Sequence, residues 1–320
     1  MTSETLDALW EIAETDPLPA GHTSSHWQDH GRRTIVERRR GELVLQASGF
    51  ATLAHPGLGG RLLHRVERWS YRKTLKRFAS FAAVWRLMER LVHDLGGGAD
   101  FYALKTACVL ATLADHWAND RLSPQVFALI GDGSGLLGAL IRRFAPSSRV
   151  YSIDLPKALV FQATTHRTAD PAGQMGVLTG RDQEMPSASA QVLFVLPQAL
   201  EQIPGPIDCA VSVASLQEMT ADSIAGYFAF LRRRTGPASR FYCVNRLSKP
   251  MPGGEVATFS EYPWQAEDEV FLDGPCPYYA YCFSPQTLPN GPRVLGMRVP
   301  CVNYFDGVHV HRLVRLAGGS

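Results

Sequence analysis

The stretch VFALIGDGSGLLGALI, Val126 to Ile141, is followed shortly by RVYSIDLP, Arg149 to Pro156. An apolar run enters a glycine-rich turn, a second apolar run leaves it, and the next short apolar run ends on Asp154. The pattern predicts a strand at Val126–Ile130, a helix at Leu136–Phe144 and a second strand at Val150–Ile153. Two templates fit the turn. Gly133-x-Gly135-x-x-Gly138, with an acid about 20 residues on at Asp154, matches a dinucleotide fingerprint. Gly131-x-Gly133-x-Gly135 directly after the strand matches the cradle of the methyl donor S-adenosyl-L-methionine. In both, glycines let the backbone approach the ligand and the acid accepts hydrogen bonds from ribose hydroxyls, at the carboxyl end of a strand where open α/β sheets bind ligands. Gly131, Asp132, Gly133, Gly135, Asp154 and the adjoining Leu155 are therefore cofactor-binding candidates. The alternative is a turn that only packs helix on strand, as is expected of Gly138.

Outward from this unit, short apolar runs alternate with helical patterns. Strands are expected at Val192–Leu196, Asp208–Val213 and Arg240–Asn245, and helices at Pro156–Thr168 and Ala221–Arg234. The last carries Ile224, Tyr227, Phe228 and Leu231 on one stripe, with Thr220 as N-cap. Alternation of this kind predicts an α/β fold with a mostly parallel sheet. Near the end, RVLGMRVPCV and VHVHRLVRLA flank the turn-rich NYFDG and read as a closing antiparallel pair. Residues 1–120 read as a helical N-terminal region. Leu6, Leu9, Trp10 and Ala13 share one helical face, AGHTSSHWQDHGRR is a polar connection, and GELVLQASGFATLAHPGLGG is irregular. LLHRVERWSYRKTLKRFASFAAVWRLMERLVHDLGGG reads as one long helix, or two with a break, stopped at Gly96. A further helix covers Phe101–Trp117.

The chain has 320 residues, 45% apolar and 19% charged, and a net charge of +2. That describes a folded globular protein with ample core, and not a general polyanion binder. No apolar run is long enough to cross a bilayer, and the acidic, amphipathic MTSETLDALWEIAETD is not a signal peptide. Six cysteines without a C-x-x-C pair predict reduced thiols in a cytoplasmic protein.

Two later stretches, read together with the opening one, decide between the templates. LIGDGSGLLGALIRRFAPSSRVYSIDLPKALVFQ, IDCAVSVASLQEMTADSIAGYFAFLR and FYCVNRLSKPMPGGEVATFSEYPW together resemble the putative sugar O-methyltransferases, bacterial class I enzymes that use S-adenosyl-L-methionine; HWQDHGRRTI is a fainter match. The likeness runs from about Trp27 onward. It implies a Rossmann-like class I methyltransferase domain over residues 121–320, and the preceding 1–120 as an acceptor lid and candidate homodimer surface. The expected partner is a small-molecule acceptor, a sugar or glycosylated metabolite. Two other classes stay open: an NAD(P)-dependent oxidoreductase using the same turn, and a non-catalytic adenosyl-binding scaffold. Nucleic acid is disfavoured. The basic run Arg61, Arg65, Arg68, Arg72, Lys73, Lys76 and Arg77 reads as a solvated helix face with its aromatics on a core stripe, and no Asn/Asp-Pro-Pro-aromatic signature follows the fourth strand.

Methyl transfer to a hydroxyl is an in-line displacement, so the protein orients the acceptor and a base helps take its proton. Glu218, in the Ser212–Met219 stretch after the fourth strand, is the first candidate base or positioning group, with Gln217 its competitor. The plain alternative is that Glu218 supports the start of the following helix. His116 is a second base candidate, on a helix expected to cover the acceptor. Asn245 and Arg246 are expected at the rim of the acceptor pocket, with Glu255, Glu261 and Trp264 binding hydroxyls or stacking on a sugar face. Ser215 is assigned to the donor and Gln198 to its adenine end. One carboxylate position common in the broader class, two residues before the first glycine, is Leu129 here. No metal site is expected. His309-x-His311 alternates on a strand, which points both rings to one face in an edge or core role.

Overall fold

The computed structural model describes residues 2–16, 23–40, 42–53, 57–180, 189–284, 291–305 and 307–318. Helix α1 (Thr2–Thr15) buries Leu9 and Ala13. The polar connection after it is not irregular: Ser25–Arg33 forms helix α2, capped by Ser24, whose hydroxyl accepts from the Trp27 amide at 3.4 Å. Little apolar periodicity marks this helix because it is held through polar ties. Lys157 donates to the carbonyls of Gly31 and Thr34, at 2.8 Å each. The glycine-rich stretch that follows also contains a strand, β2 (Glu42–Gln46), antiparallel to β1 (Ile35–Arg39), so the N-terminal region is not wholly helical.

The long helical run divides into α3 (Leu58–Ser70), α4 (Arg72–Leu75) and α5 (Phe81–Asp94). Tyr71 makes the first break: its ring is buried and its hydroxyl donates to the Tyr281 carbonyl at 2.6 Å. The Asp115 carboxylate takes the amides of Ala79 and Ser80, both at 2.8 Å, and so starts α5. Gly96, at φ +69°, ends it as expected. Trp69 departs from the expected core stripe. It is 62% exposed, with the Arg72 guanidinium 3.9 Å from its ring centre.

Beyond α6 (Phe101–Asp120) come β3 (Val126–Ile130), α7 (Leu136–Phe144), β4 (Arg149–Ile153), α8 (Pro156–Ala169), β5 (Met175–Leu178), β6 (Val192–Val195), β7 (Cys209–Val213), α9 (Ala221–Arg234) and β8 (Arg240–Arg246). The short strands β9 (Ser248–Pro250) and β10 (Val256–Thr258) pair with each other. They are followed by β11 (Glu269–Pro275), β12 (Tyr281–Phe283), β13 (Arg293–Val294), β14 (Met297–Arg298), β15 (Val302–Tyr304) and β16 (His309–Arg315). The main sheet has the order β11-β16-β8-β7-β3-β4-β6-β5. Strands β5, β6, β4, β3, β7 and β8 are mutually parallel, and β16 runs antiparallel to both its neighbours. A parallel sheet with one reversed strand inserted beside its edge is the Rossmann-like class I methyltransferase sheet, here with β5 as an additional edge strand.

Period two divides the core. Phe127, Leu129, Tyr242 and Val244 face one layer, packed with α5, α6 and α7; Ala128, Ile130, Phe241 and Cys243 face the other, packed with α1, α8 and α9. Strands covered on both faces read as continuous apolar runs, which is why β3, β4 and β6 to β8 are visible in the sequence. The closing pair is different from the expected one. VHVHRLVRLA supplies β16, but its outer partner is β11, not RVLGMRVPCV. Leu295 and Gly296, at φ +50° and +79°, fold that run back on itself as the small hairpin β13–β14. All six cysteines are free, four of them buried.

Candidate active site

A cavity of about 240 Å³ opens at the carboxyl ends of β3, β4, β7 and β8. Its floor is the glycine turn. Gly131 and Gly133 have φ of +73° and +57° and line the cavity. A Cβ on Gly131 would overlap the Ser215 side chain, and one on Gly133 would stand 3.3 Å from the Ala51 carbonyl oxygen and the Tyr102 hydroxyl. Gly135 belongs to a different role from the expected one. At φ +87° it begins α7, and a Cβ there would lie 2.8 Å from Gln162 Cα, so it seats one helix against another. Gly138 packs against His166.

The two turn-associated acids are also distinguished by geometry. The Asp132 carboxylate accepts from the amides of Leu137 (3.1 Å) and Gly138 (2.7 Å), so it caps α7 although it borders the cavity. Asp154, at the end of β4, accepts from the Leu155 amide (2.8 Å) and from Gln162 Nε2 (2.7 Å). Gln162 is fully buried, donates also to the Gly133 carbonyl at 3.2 Å, and ties the aspartate to the glycine turn; sequence reasoning missed it. Burial pushes both aspartates up to about 7, against the pull of these hydrogen bonds. Leu155 contributes its amide, while its side chain belongs to the core.

The tip of β7 forms the opposite wall. Ala214 sits at φ +57°, a strained conformation for a residue with a Cβ, and Ser215 lines the cavity beside Gly131. Gln217 accepts from the Arg246 amide at 2.6 Å through Oε1, and its own amide donates to Asn245 Oδ1 at 3.2 Å. Gln217 and Asn245 thereby lock β7 to β8; Asn245 is fully buried and does not reach the expected pocket rim, whereas Arg246 lines the cavity. Glu218 also lines it. Lys249 donates to its carboxylate at 2.6 Å, His26 Nε2 lies 3.4 Å from it, and its backbone carbonyl accepts from Ser24. Burial raises the carboxyl's proton affinity, but His26 and Lys249 outweigh it and hold the group below its ordinary value. This is an anchored anion that fastens α2 across the cavity.

The remaining candidates lie elsewhere. His116 is near the far end of α6, where its Nε2 accepts from Arg240 Nε at 2.8 Å and Arg240 also binds Asp120 at 2.7 Å. That group adjoins the amino end of β8, away from the cavity. Gln198 is exposed beside Gly180, Glu261 is exposed, and Glu255 accepts from Ser25 at 2.8 Å outside the cavity. Trp264 is a packing residue: its ring contacts Phe228, Phe241 and Phe259, and Nε1 donates to the Phe259 carbonyl at 2.9 Å. Among the described residues no group of three or more His, Cys, Asp or Glu side chains is placed to hold a metal.

What closes the cavity instead is an aromatic and cationic wall. Trp27 and Phe50 come from the N-terminal region, Tyr102 and Lys105 from the first turns of α6, and Tyr279, Phe305 and His309 from the C-terminal segments. Tyr279 stacks on His309 with ring centres 4.2 Å apart, and Phe305 stands 5.1 Å from Tyr279. His311, pointing to the same face, hydrogen-bonds the buried Tyr242 hydroxyl at 2.9 Å. A lone lysine within the apolar pattern of α6 is the one sequence signal for this wall.

No family model and no curated protein matches the chain. Among solved structures it is similar to TehB from Haemophilus influenzae, at 15% identity over 62% of this chain and 60% of that one, with a TM-score of 0.39. It is similar to a TehB-like S-adenosylmethionine-dependent methyltransferase from Corynebacterium glutamicum, at 13% identity over 71% and 93% of the two chains, TM-score 0.37. Mitomycin 7-O-methyltransferase MmcR aligns at 16% identity over 73% and 68%, TM-score 0.36. The chain thus spans under two thirds of the first of these. The fold assignment rests on the strand order itself.

Proposed function

We propose that this chain is an S-adenosyl-L-methionine-dependent methyltransferase acting on a hydroxyl of a small molecule, a sugar or glycosylated metabolite. One observation carries the donor assignment: Gly131, Gly133, Asp154 and Ser215, from three separate strand ends, line a single cavity at the carboxyl edge of a class I sheet. The residues fit an adenosyl donor. The two glycines leave the backbone open where a Cβ would close it, and Asp154 is held by Leu155 and Gln162 with its carboxylate at the cavity. Asp154 would take the ribose hydroxyls and the backbone of residues 131–133 the amino-acid end. When bound, S-adenosyl-L-methionine supplies an activated methyl group on a sulfonium, whose transfer to oxygen yields S-adenosylhomocysteine.

The chain's own part is to bind, orient and keep water out. Trp27 lines the cavity from the N-terminal side on α2, which His26 ties to Glu218, and this supports the lid role for residues 1–120. Tyr279 and Phe305 offer flat faces for a sugar ring, and Glu218 and Arg246 offer polar groups for its hydroxyls. Free thiols suit a cytoplasmic setting. The test is incubation with methyl-labelled S-adenosyl-L-methionine and a panel of glycosides, following label in the acceptor. Label on an acceptor oxygen is expected. Donor binding with no transfer to any hydroxyl compound would leave the scaffold class standing instead.

A further inference from the structure

Lys105 occupies an unusual position for a lysine. It lies on α6 between buried Leu104 and Thr106, lines the cavity, and holds its Nζ 5.2 Å from the ring centres of both Tyr102 and Tyr279. Among the described residues it makes no ion pair or hydrogen bond. The contrast within the chain is direct: Lys249 is paired with Glu218 and Lys157 donates to two carbonyls. An ammonium partly buried in a cavity wall without a counter-ion is costly, so such a site favours the neutral amine. Enclosure brings Lys105 down to about 8; Asp100, Glu218, Cys282 and Cys276 pull the other way without reversing it.

The other titratable groups facing the cavity are either engaged elsewhere or weakly basic; burial raises both aspartates to about 7, but their oxygens already accept hydrogen bonds from the protein. Asp132 is occupied by the amides that begin α7, and Asp154 by Leu155 and Gln162. Glu218 is held as an anion by Lys249 and His26. His309 is pushed down to about 3, by burial first and then by Arg246 and Lys105, which leaves its imidazole a weak base. Tyr102 and Tyr279 are raised by burial and stay neutral phenols. Resting on the methyltransferase reading, we infer that Lys105 is the catalytic residue that takes the proton of the acceptor's hydroxyl, and that the wall of Tyr102, Tyr279 and Phe305 selects a hydroxyl carried on a flat-faced ring. In that step the O–H bond breaks and its electron pair stays on oxygen. The proton is bound by the Nζ lone pair, and the resulting ammonium returns it to solvent after the product leaves. A positively charged donor bound in the same cavity would further disfavour a second cation at Lys105 and so favour its amine form.

The chain has five lysines, so reductive methylation with carbon-13 gives few resonances, and Lys105 is assigned by its loss in Lys105→Met. The protein is titrated by NMR with S-adenosylhomocysteine present, with and without 4-nitrophenol as a ring-borne hydroxyl whose ionised form absorbs separately. Lys105 is expected to titrate at about 8 or below without the phenol. When the phenol binds, the Lys105 midpoint should rise and the phenol midpoint fall, each by roughly one pH unit, since neighbouring groups couple reciprocally. Lys105→Met should abolish the phenol shift while retaining S-adenosylhomocysteine binding within about threefold, which reports an intact fold. A Lys105 midpoint near the ordinary lysine value of about 10.4 would overturn the inference. So would a phenol that does not bind, or a shift that survives Lys105→Met. Coupling without S-adenosylhomocysteine binding would overturn the donor reading and not the Lys105 subsite.

Discussion

Gly131→Ala tests the geometry of the cradle most sharply. The added Cβ would meet two separate costs. Gly131 lies at φ +73°, where an L-residue pays about 1–2 kcal/mol, and the methyl would overlap Ser215 Oγ and Cβ, an overpacking of about 1–3 kcal/mol. Together they predict a loss of about 2–5 kcal/mol. The two costs separate by design. Gly96 has φ +69° and open space within 4 Å of where an added methyl would stand, so Gly96→Ala should show the conformational cost alone, about 1–2 kcal/mol. In a Ser215→Gly background the nearest remaining atom is the Cα of residue 215 at 3.7 Å, an ordinary contact, so Gly131→Ala should there cost about as much as Gly96→Ala. The coupling energy between 131 and 215 is then about 1–3 kcal/mol, read from urea midpoints at constant slope. A coupling below about 0.5 kcal/mol would refute the contact between the glycine turn and the β7 tip.

Three further outcomes follow from the same geometry. On the proposed donor assignment Asp154 would accept ribose hydroxyls best as a carboxylate, so S-adenosylhomocysteine affinity should fall as pH drops through about 7 and hold steady above it; a flat profile from about pH 6 to 8 contradicts this. In the free protein the sign is opposite: an acid raised in the folded state costs stability as pH rises from its unfolded value to about 7. Asp154→Asn should therefore gain stability relative to wild type across that window. The difference between the two proteins is the readout, because burial lowers His166, His309 and His311 and gives the whole molecule a contrary slope. Finally, His116→Ala removes a partner of the buried Arg240 and should cost about 1–3 kcal/mol while leaving S-adenosylhomocysteine affinity unchanged; a loss of donor binding would return His116 to the site.

The parts of the site that lie close together in the chain are legible in the sequence. The apolar run, its glycines and the aspartate ending the next strand are neighbours along the polypeptide, and their spacing follows from the local geometry of a strand, a turn and a helix. Spacing assigns Gly135 to the wrong task because it does not say what a glycine abuts; only the approach of Gln162 does. His116 fails for a related reason. It lies eleven residues beyond Lys105 on α6, roughly 16 Å along the axis at about 1.5 Å per residue, which carries it from the carboxyl edge of the sheet toward the opposite end. Tyr279, Phe305 and His309 come from C-terminal segments whose meeting with α6 is set by packing, so no periodicity announces it. Strand β11 is hidden by its own Gly274 and Pro275, which at a sheet edge are tolerated and in a sequence read as loop.

The central claim, that the glycine turn and Asp154 cradle an adenosyl methyl donor, is tested most directly by titration calorimetry of the purified protein with S-adenosylhomocysteine and, separately, with NAD. The account predicts binding of S-adenosylhomocysteine, weakened more than about tenfold by Asp154→Ala, the loss expected on removing charge-assisted hydrogen bonds to the ribose. Binding of NAD without S-adenosylhomocysteine would contradict the donor assignment, and unchanged affinity in Asp154→Ala would contradict the ribose site.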